Sequence, residues 1–136
     1  MPVSIQDVYL QKEAVEQLSF VPKEAYNRLL ISRGYYASFL FACELFKSNA
    51  SHKLVLFDDG YGSHQKIYES LIRSNVPNLK YIGKTLKKYH TLRKYSDYKL
   101  HMHINDFKLM QADMHFKECK ERIEFFLKNG PADFHP

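Results

Sequence analysis

Residues 34–46 read GYYASFLFACELF and decide the fold, because they are apolar around nearly the whole circumference of a helix. A helix without a polar face has to be covered by neighbours on several sides, so this segment predicts the central helix of a bundle. Pro22 suits the first position of this helix, which is expected to run to about Lys47. Gly34 costs about 1 kcal/mol relative to Ala inside a helix, which indicates a close contact with a second helix.

Capping and turn signals outline the helices on either side. Ser4 and Asp7 form a capping-box-like start for a first helix. Residues 48–62 are predicted to form a loop, in which the run 54–57 is the one strand-like segment and is too short to build a sheet. Ser63 is then expected to cap a short third helix.

Two longer helices follow the short one. Pro77 can open the fourth helix, in which apolar residues from Leu79 to Tyr89 recur at spacings of three and four. Asn105 is expected to cap a fifth helix, which the pair Gly130–Pro131 ends. The sequence therefore predicts an all-α, up-and-down bundle of four to five helices in a single domain over residues 1–136.

Length and composition restrict the class of protein. The chain has 136 residues, of which 45% are hydrophobic and 26% charged, as in one globular domain. Residues 1–13 have neither the basic nor the apolar segment of a signal peptide, and no apolar run reaches the roughly 18 residues of a membrane span. Cys43 and Cys119 fall in predicted helices and are expected to be reduced core thiols. We therefore expect a cytoplasmic protein that does not bind membranes.

Positive charge is concentrated in one segment. The net charge is +5, yet residues 80–99 alone carry +6, so the rest of the chain is close to neutral. The basic residues of this segment are Lys80, Lys84, Lys87, Lys88, Arg93, Lys94 and Lys99. A local basic stripe is typical of a protein that binds a polyanion such as RNA, and a solvated helix face is the alternative.

Three polar residues share one face of the fourth helix. His90, Arg93 and Asp97 are spaced by three and four, close to the core-facing stripe. Arg93 could pair with Asp97 and close the end of the bundle, or it could line a phosphate pocket. Arg28 and Arg33 are five residues apart and lie on different faces of the central helix. Arg33 is expected to emerge between helices and to meet Asp97 or Glu44, or a bound anion.

No metal or cofactor is expected. His101 and His103 lie close together in a predicted loop, but a transition-metal site usually needs three or four ligands. The chain has no glycine-rich phosphate loop and no nucleophile elbow. Both cysteines lie on apolar stripes, whereas a reactive thiolate needs accessible, electropositive surroundings.

Two segments resemble the HEPN superfamily (higher eukaryotes and prokaryotes nucleotide-binding). Residues 31–39, ISRGYYASF, resemble its S-R-A-Y-Y-A-x-F helix, and residues 92–98, LRKYSDY, resemble the L-R-x-x-A-D-Y signature of one subgroup. His64 opens the intervening helix, where such domains often carry a histidine. The order and spacing of the helices agree over residues 4–128.

The resemblance implies an RNA- or nucleotide-acting bundle that often dimerises. Many HEPN domains are metal-independent endoribonucleases of toxin–antitoxin, CRISPR-linked or phage-defence systems, and others are non-catalytic partners of nucleotidyltransferases. We therefore expect an RNA-acting protein, with a non-catalytic nucleotide- or protein-binding module as the alternative. The expected partners are RNA or a nucleotide, a nucleotidyltransferase or antitoxin, and a second copy of the chain, since the central helix is apolar on more faces than a small monomer covers.

The resemblance also assigns candidate site residues. HEPN ribonucleases carry Arg, then four to six residues, then His, whereas here seven residues separate Arg93 from His101. His90, on the face of Arg93, is a substitute base, and the sequence leaves open whether the protein is an enzyme. The candidate catalytic residues are Arg93, His101, His90 and Asp97. The candidate nucleic-acid-binding residues are Arg33, Lys84, Lys87, Lys88, Lys94 and Lys99.

Overall fold

The computed structural model describes residues 4–16, 23–47 and 62–135. Its helices are α1 (Ile5–Glu16), α2 (Lys23–Lys47), α3 (Ser63–Ile72), α4 (Pro77–Tyr98) and α5 (Asp106–Asn129). These three ranges contain no strand, which confirms the predicted all-α bundle. The predictions for Pro22, for the loop over 48–61 and for the strand-like run 54–57 fall outside the described residues.

Several predicted helix ends are confirmed by their hydrogen bonds. The Ser4 amide donates to Asp7 Oδ2 and the Asp7 amide donates to Ser4 Oγ, both at 3.1 Å, which is a reciprocal capping box. Asn105 Oδ1 accepts from the amide of Lys108 at 3.0 Å and caps α5. Gly130 ends α5 with a positive φ of 69°, which a residue with a side chain rarely adopts.

The start of α3 differs from the prediction. Gly62, rather than Ser63, is the capping residue, because Gly62 has the extended backbone (φ −66°, ψ 168°) and Ser63 is already helical. Gly62 has no side chain that could accept a hydrogen bond, so α3 begins without a side-chain cap. This register places His64 in the first turn of α3.

The central helix is α2, as the sequence predicts. It packs against α1, α4 and α5, while α3 packs mainly on α4. Its residues Ile31, Tyr35 and Leu45 are at most 1% exposed. The other helices contribute further fully buried side chains to the same core, among them Leu71, Leu79, Ile82, Leu86, Tyr89, Cys119 and Ile123. The all-apolar circumference of α2 is thus explained by neighbours on several sides.

Two glycines allow helices to approach each other closely. A Cβ built on Gly34 would overlap the Tyr89 hydroxyl of α4 and lie 3.2 Å from Lys12 Cε of α1. The close contact predicted for Gly34 is therefore confirmed. A Cβ built on Gly83 of α4 would lie 2.8 Å from the backbone nitrogen of Ile72, so the α3–α4 contact also depends on a glycine.

By length and composition alone, α2 is also apolar enough to cross a membrane. The helix contains no uninterrupted apolar run of that length, but it is apolar on average although polar residues interrupt it. Half of its most apolar window is buried inside the bundle, and the core helix of a soluble protein passes the same test. Packing in the bundle therefore accounts for the composition of α2.

Candidate functional site

The lysines of α4 form two rows instead of one stripe. The α3-side row consists of Lys80, Lys87 and Lys94, which recur every seven residues and share one face of the helix. The α5-side row consists of Lys84 and Lys88, which line a groove between α4 and α5. The predicted basic segment thus serves two different surfaces.

The α3-side row leads to a cluster of rings. Lys87 Nζ lies 3.0 Å from Glu69 Oε1 of α3, which shows the side of α4 on which the row runs. Lys94, two turns further along, lies near enough to His90 to help lower the pKa of that imidazole. The row therefore ends beside a histidine that the sequence named as a candidate base.

His64 of α3 and His90 of α4 stack on each other, with ring centroids 5.0 Å apart and planes 14° apart. Tyr35 of α2 stacks on His90 at 5.1 Å, and the Phe39 ring lies 4.1 Å from the His64 ring. We call Tyr35, Phe39, His64 and His90 the histidine cluster. Helices α2, α3 and α4 each contribute to it, so the cluster exists only in the folded chain.

The length of α3 sets the position of this cluster. With 10 residues, α3 is less than half as long as α4, which has 22. The two helices are joined by a short turn, so the N-terminus of α3 reaches only the middle of α4. His64 therefore meets α4 at His90, and Arg93 and Asp97 lie one and two turns beyond that contact.

Tyr35 forms a hydrogen bond with the His64 ring. The Tyr35 hydroxyl lies 2.9 Å from His64 Nδ1. Burial raises the pKa of Tyr35, so the phenol stays protonated, and the tautomer of His64 decides which of the two groups donates. Burial, together with the charge of Arg93, lowers the pKa of His64. The His64 ring is therefore neutral at physiological pH.

His90 is also neutral at physiological pH. Burial lowers its pKa to about 4, and the neighbouring His64, Lys94 and Arg93 act in the same direction. Its Nδ1 is buried and has no hydrogen-bond partner in the described part of the chain. The cluster thus presents two uncharged imidazoles within electrostatic reach of a guanidinium.

Arg93 forms the ion pair that the helical spacing predicts. Its Nε lies 2.7 Å from Asp97 Oδ2, which also accepts from Ser32 Oγ of α2 at 3.3 Å. The side chains of Arg93 and Asp97 are 25% and 26% exposed, so the pair lies at the edge of the bundle. The contact uses Nε, and over residues 4–16, 23–47 and 62–135 no acceptor is bonded to either Nη group. Arg93 is therefore oriented by Asp97 and retains donors for an anion.

Arg28 has a role that the sequence did not reveal. Its guanidinium donates to the carbonyl oxygens of Tyr95 at 3.1 Å and Ser96 at 2.9 Å, and also to that of Met102. Glu24 holds the same guanidinium at 3.1 Å. Arg28 thus binds carbonyl oxygens of the last turn of α4 and of the segment that follows, and ties the two together. Helical periodicity does not mark a side chain that reaches the end of another helix.

Arg33 does not meet Asp97, contrary to one expectation. It donates to Gln11 Oε1 of α1 at 3.3 Å and its guanidinium lies 5.7 Å from the Tyr36 ring. Arg28 faces α4 instead, so the two arginines do lie on different faces of α2. Arg33 is a residue of the α1 side and is not part of the site around Arg93.

His101 and Lys99 lie at the end of α4 and beyond it. Both are exposed, and Lys99 is the C-terminal capping residue of the helix. No hydrogen bond or ring contact among the described residues joins His101 to Arg93. The structure brings His90 and His64 to the neighbourhood of Arg93 instead.

The cysteines take no part in this chemistry. Cys43 and Cys119 are free thiols, half-buried and buried respectively. Burial raises the pKa of Cys43 and raises that of Cys119 to about 12. Thiols with a raised pKa are uncharged and poorly nucleophilic, in agreement with the predicted core thiols.

Sequence reasoning named His90 and Arg93 but left Tyr35 and His64 out of the site. Tyr35 lies in the apolar half of α2 and has the pattern of an ordinary core residue. His64 opens a predicted helix, but its hydrogen-bond partner, Tyr35, comes from a different helix, α2. One feature of the sequence could have pointed to this site. His64 lies in the first turn of α3, and α3 is too short to cover the whole of α4.

No protein-family model, curated protein or solved structure matches this chain. Within the described ranges, no three His, Cys, Asp or Glu side chains lie together as a group that could hold a metal ion. The inference of function therefore rests on the histidine cluster, the Arg93–Asp97 pair and the α3-side row.

Proposed function

We propose that this protein binds single-stranded RNA along the α3-side row and holds one phosphate at Arg93. The observation that carries the proposal is the stacked, neutral pair His64–His90 near the Arg93 guanidinium, whose Nη groups bond to no acceptor among the described residues. Lys80 and Lys94 are separated by about 21 Å at 1.5 Å per helical residue, which spans several phosphates of an RNA strand. Phosphate contacts of this kind give affinity without sequence preference.

The same residues support RNA cleavage without a metal ion, which the HEPN resemblance implies for a cytoplasmic toxin or defence protein. In this reaction the RNA 2′-oxygen attacks the neighbouring phosphorus and the bond to the 5′-oxygen breaks. The products are a 2′,3′-cyclic phosphate and a 5′-hydroxyl. We assign His90 as the acceptor of the 2′-hydroxyl proton and Arg93 as the stabiliser of phosphate charge. Water protonates the leaving 5′-oxygen, and His90 later returns its proton to the solvent.

A non-catalytic binding module is the second candidate function. The ion pair of Arg93 with Asp97, and the bond from Ser32 to the same carboxylate, tie α4 to α2. A residue engaged in this way can serve the structure alone. The chain would then bind a nucleotide or a protein such as a nucleotidyltransferase or an antitoxin, and no proton transfer would be required of the histidines.

Incubation of end-labelled RNA with the protein in excess EDTA distinguishes the two candidates. The first predicts fragments with cyclic phosphate ends and a rate that falls roughly 10²–10⁴-fold in His90→Gln, because a general base contributes that much. His101→Gln is the matched control, since His101 is exposed and lies away from Arg93. If the wild type binds RNA and does not cleave it, the enzyme assignment is refuted and the non-catalytic binding module is favoured. Neither RNA binding nor RNA cleavage would refute the first candidate.

A further inference from the structure

The groove between α4 and α5 has an apolar wall that the described part of the chain leaves uncovered. Phe107, Met110 and Met114 of α5 line it and are 60%, 54% and 56% exposed. Their spacings of three and four place them on one face of the helix, and we call them the α5 stripe. Large apolar side chains exposed side by side are typical of a binding surface, and methionines form adaptable contacts.

The size and shape of the groove restrict what fits into it. Its volume of about 360 Å³ lies at the lower end of the range for small-molecule sites. The groove extends along α5 from Phe107 to Glu118, which is about 16 Å at 1.5 Å per helical residue. Most of this length is lined by the flexible, unbranched side chains of Met110, Gln111 and Met114. An elongated groove with such a wall fits an unbranched acyl chain.

The α4 wall carries two positive charges without an acidic partner. Lys84 and Lys88 are exposed and lie one helical turn apart. Among the described residues, no carboxylate forms an ion pair with either ammonium group. Glu118 is engaged with the Tyr81 hydroxyl at one end of the groove. Burial lowers the pKa of His115, so this ring adds no charge at physiological pH. The lysines are therefore available to hold an anionic head group.

These positive charges lie across the groove from the α5 stripe. The two helices run antiparallel, as shown by the bond from Asn78 Nδ2 to the Arg122 carbonyl oxygen at 3.1 Å. This register places the level of Met114 between the levels of Lys84 and Lys88. The rest of the α5 stripe extends beyond the lysines, towards the N-terminus of α5. A charged head group and an apolar tail can therefore be bound side by side.

We propose that this groove binds an amphipathic anion with one unbranched acyl chain, namely a free long-chain carboxylate. The carboxylate is held by Lys84 and Lys88, and the chain lies on the α5 stripe towards Phe107. A neutral apolar molecule would bring no partner for the lysines, and an inorganic anion would leave the stripe exposed to water. An acyl carboxylate matches both features at once.

This site is separate from the proposed RNA surface. The sequence assigned the α5-side row to nucleic acid together with the α3-side row, but the two rows occupy different faces of α4. The α5-side row then serves the acyl carboxylate. The inference does not depend on the proposed RNA function, and either can fail without the other.

Titration with dodecanoate, kept below its micellar concentration, tests the site through the methyl NMR signals of the methionines. The signals of Met110 and Met114 should shift and reach saturation, whereas the signal of Met102, which does not line the groove, should stay in place. Two further probes separate the head group from the tail. Dodecyltrimethylammonium has the same tail with the opposite charge, and acetate has the same head group without the tail. Neither should shift the two signals.

Two matched pairs of substitutions test the role of the lysines. Lys84→Gln/Lys88→Gln should weaken dodecanoate binding at least about tenfold, because the charge-assisted hydrogen bonds to the carboxylate are lost. Lys47→Gln/Lys128→Gln removes the same charge at two exposed positions outside the groove and should bind as the wild type does. Met114→Gln keeps both lysines and should also weaken binding, because it interrupts the surface under the chain. Circular dichroism of each variant establishes that the helices are intact.

Several results would overturn the proposal. Dodecanoate that causes no saturable shift does not bind, and equal binding of the ammonium amphiphile would show that the lysines select nothing. An equal loss of affinity in both lysine pairs would reduce their effect to net charge. Sedimentation with phosphatidylglycerol vesicles distinguishes the free carboxylate from a lipid surface. Binding to vesicles without binding of free dodecanoate would assign this face to a membrane and contradict the proposed ligand.

Discussion

The imidazole rings of His64 and His90 lie nearly parallel, 5.0 Å apart, although they belong to different helices. Two charged imidazoles in this arrangement would repel each other, and burial lowers the pKa of both. Tyr35 and Phe39 add aromatic surfaces to the same cluster. Both histidines are therefore neutral in the folded protein. Their neutrality makes the stability depend on pH and allows a ring to accept a proton.

Unfolding free energy is expected to decrease as the pH is lowered from 6.5 to about 4. Over this range the unfolded chain binds a proton at His90 and the folded chain does not, since the pKa falls from 6.5 to about 4 on folding. The contribution of the neutral ring is complete above pH 6.5 and is lost as the pH approaches 4. Urea unfolding at several pH values measures this change in the unfolding free energy. His90→Phe keeps a ring and should show a shallower slope, and an unchanged slope would contradict the assignment.

Replacing Gly34 with Ala is expected to destabilise the fold by about 1–3 kcal/mol, because the added methyl group overpacks the α2–α4 contact. At an ordinary helical position the same substitution would stabilise by about 1 kcal/mol. Tyr89→Phe removes the hydroxyl that the methyl group meets. In a double-mutant cycle, Gly34→Ala should cost less in the Tyr89→Phe background. Additive effects, within about 0.5 kcal/mol, would show that the two residues do not collide.

Arg28→Lys should lower the free energy of unfolding by about 2–3 kcal/mol, even though the charge is retained. A lysine cannot donate to the carbonyls of Tyr95, Ser96 and Met102 at once, and hydrogen bonds from charged donors are worth about 1.5–3 kcal/mol each. Arg33→Lys serves as the comparison in the same denaturation assay, because Arg33 donates to a side chain, Gln11 Oε1, and binds no group of carbonyl oxygens. Equal, small effects of both substitutions would contradict the role given to Arg28.

Removal of the Arg93 guanidinium distinguishes a functional role from a structural one. The Arg93 and Asp97 side chains are only 25% and 26% exposed, so Arg93→Gln should lower the melting temperature to some extent. A functional role predicts that the same variant also loses RNA binding. Asp97→Asn should have an intermediate effect on binding, because Arg93 keeps its charge but loses its orienting partner. Thermal melts are run beside filter binding on the same samples. A sharp fall in melting temperature with RNA binding intact would favour the structural alternative.

Local features of this fold could be predicted from the sequence, and contacts between distant segments could not. The helix caps at Ser4 and Asn105 form hydrogen bonds with residues three positions away, so these caps could be predicted from the sequence. The Tyr35–His64 bond and the reach of Arg28 to the end of α4 depend on how helices pack. The lysines of α4 were correctly expected on the surface, but their division into two rows depends on where α3 and α5 lie. The close helix contact at Gly34 could be predicted, because a glycine destabilises the interior of a helix and is kept there when a second helix has to approach closely.

The salt dependence of RNA binding tests the central claim most directly. Each phosphate neutralised on a single strand contributes about −0.7 to the slope of log K against log salt. For the variant Lys80→Gln/Lys94→Gln we predict weaker binding and a slope shallower by about 1.4, the sum of two such contributions. Lys128→Gln, at the end of α5, should leave both quantities unchanged. Salt-independent binding, no binding at low salt, or an equal loss in the Lys128→Gln control would contradict the account.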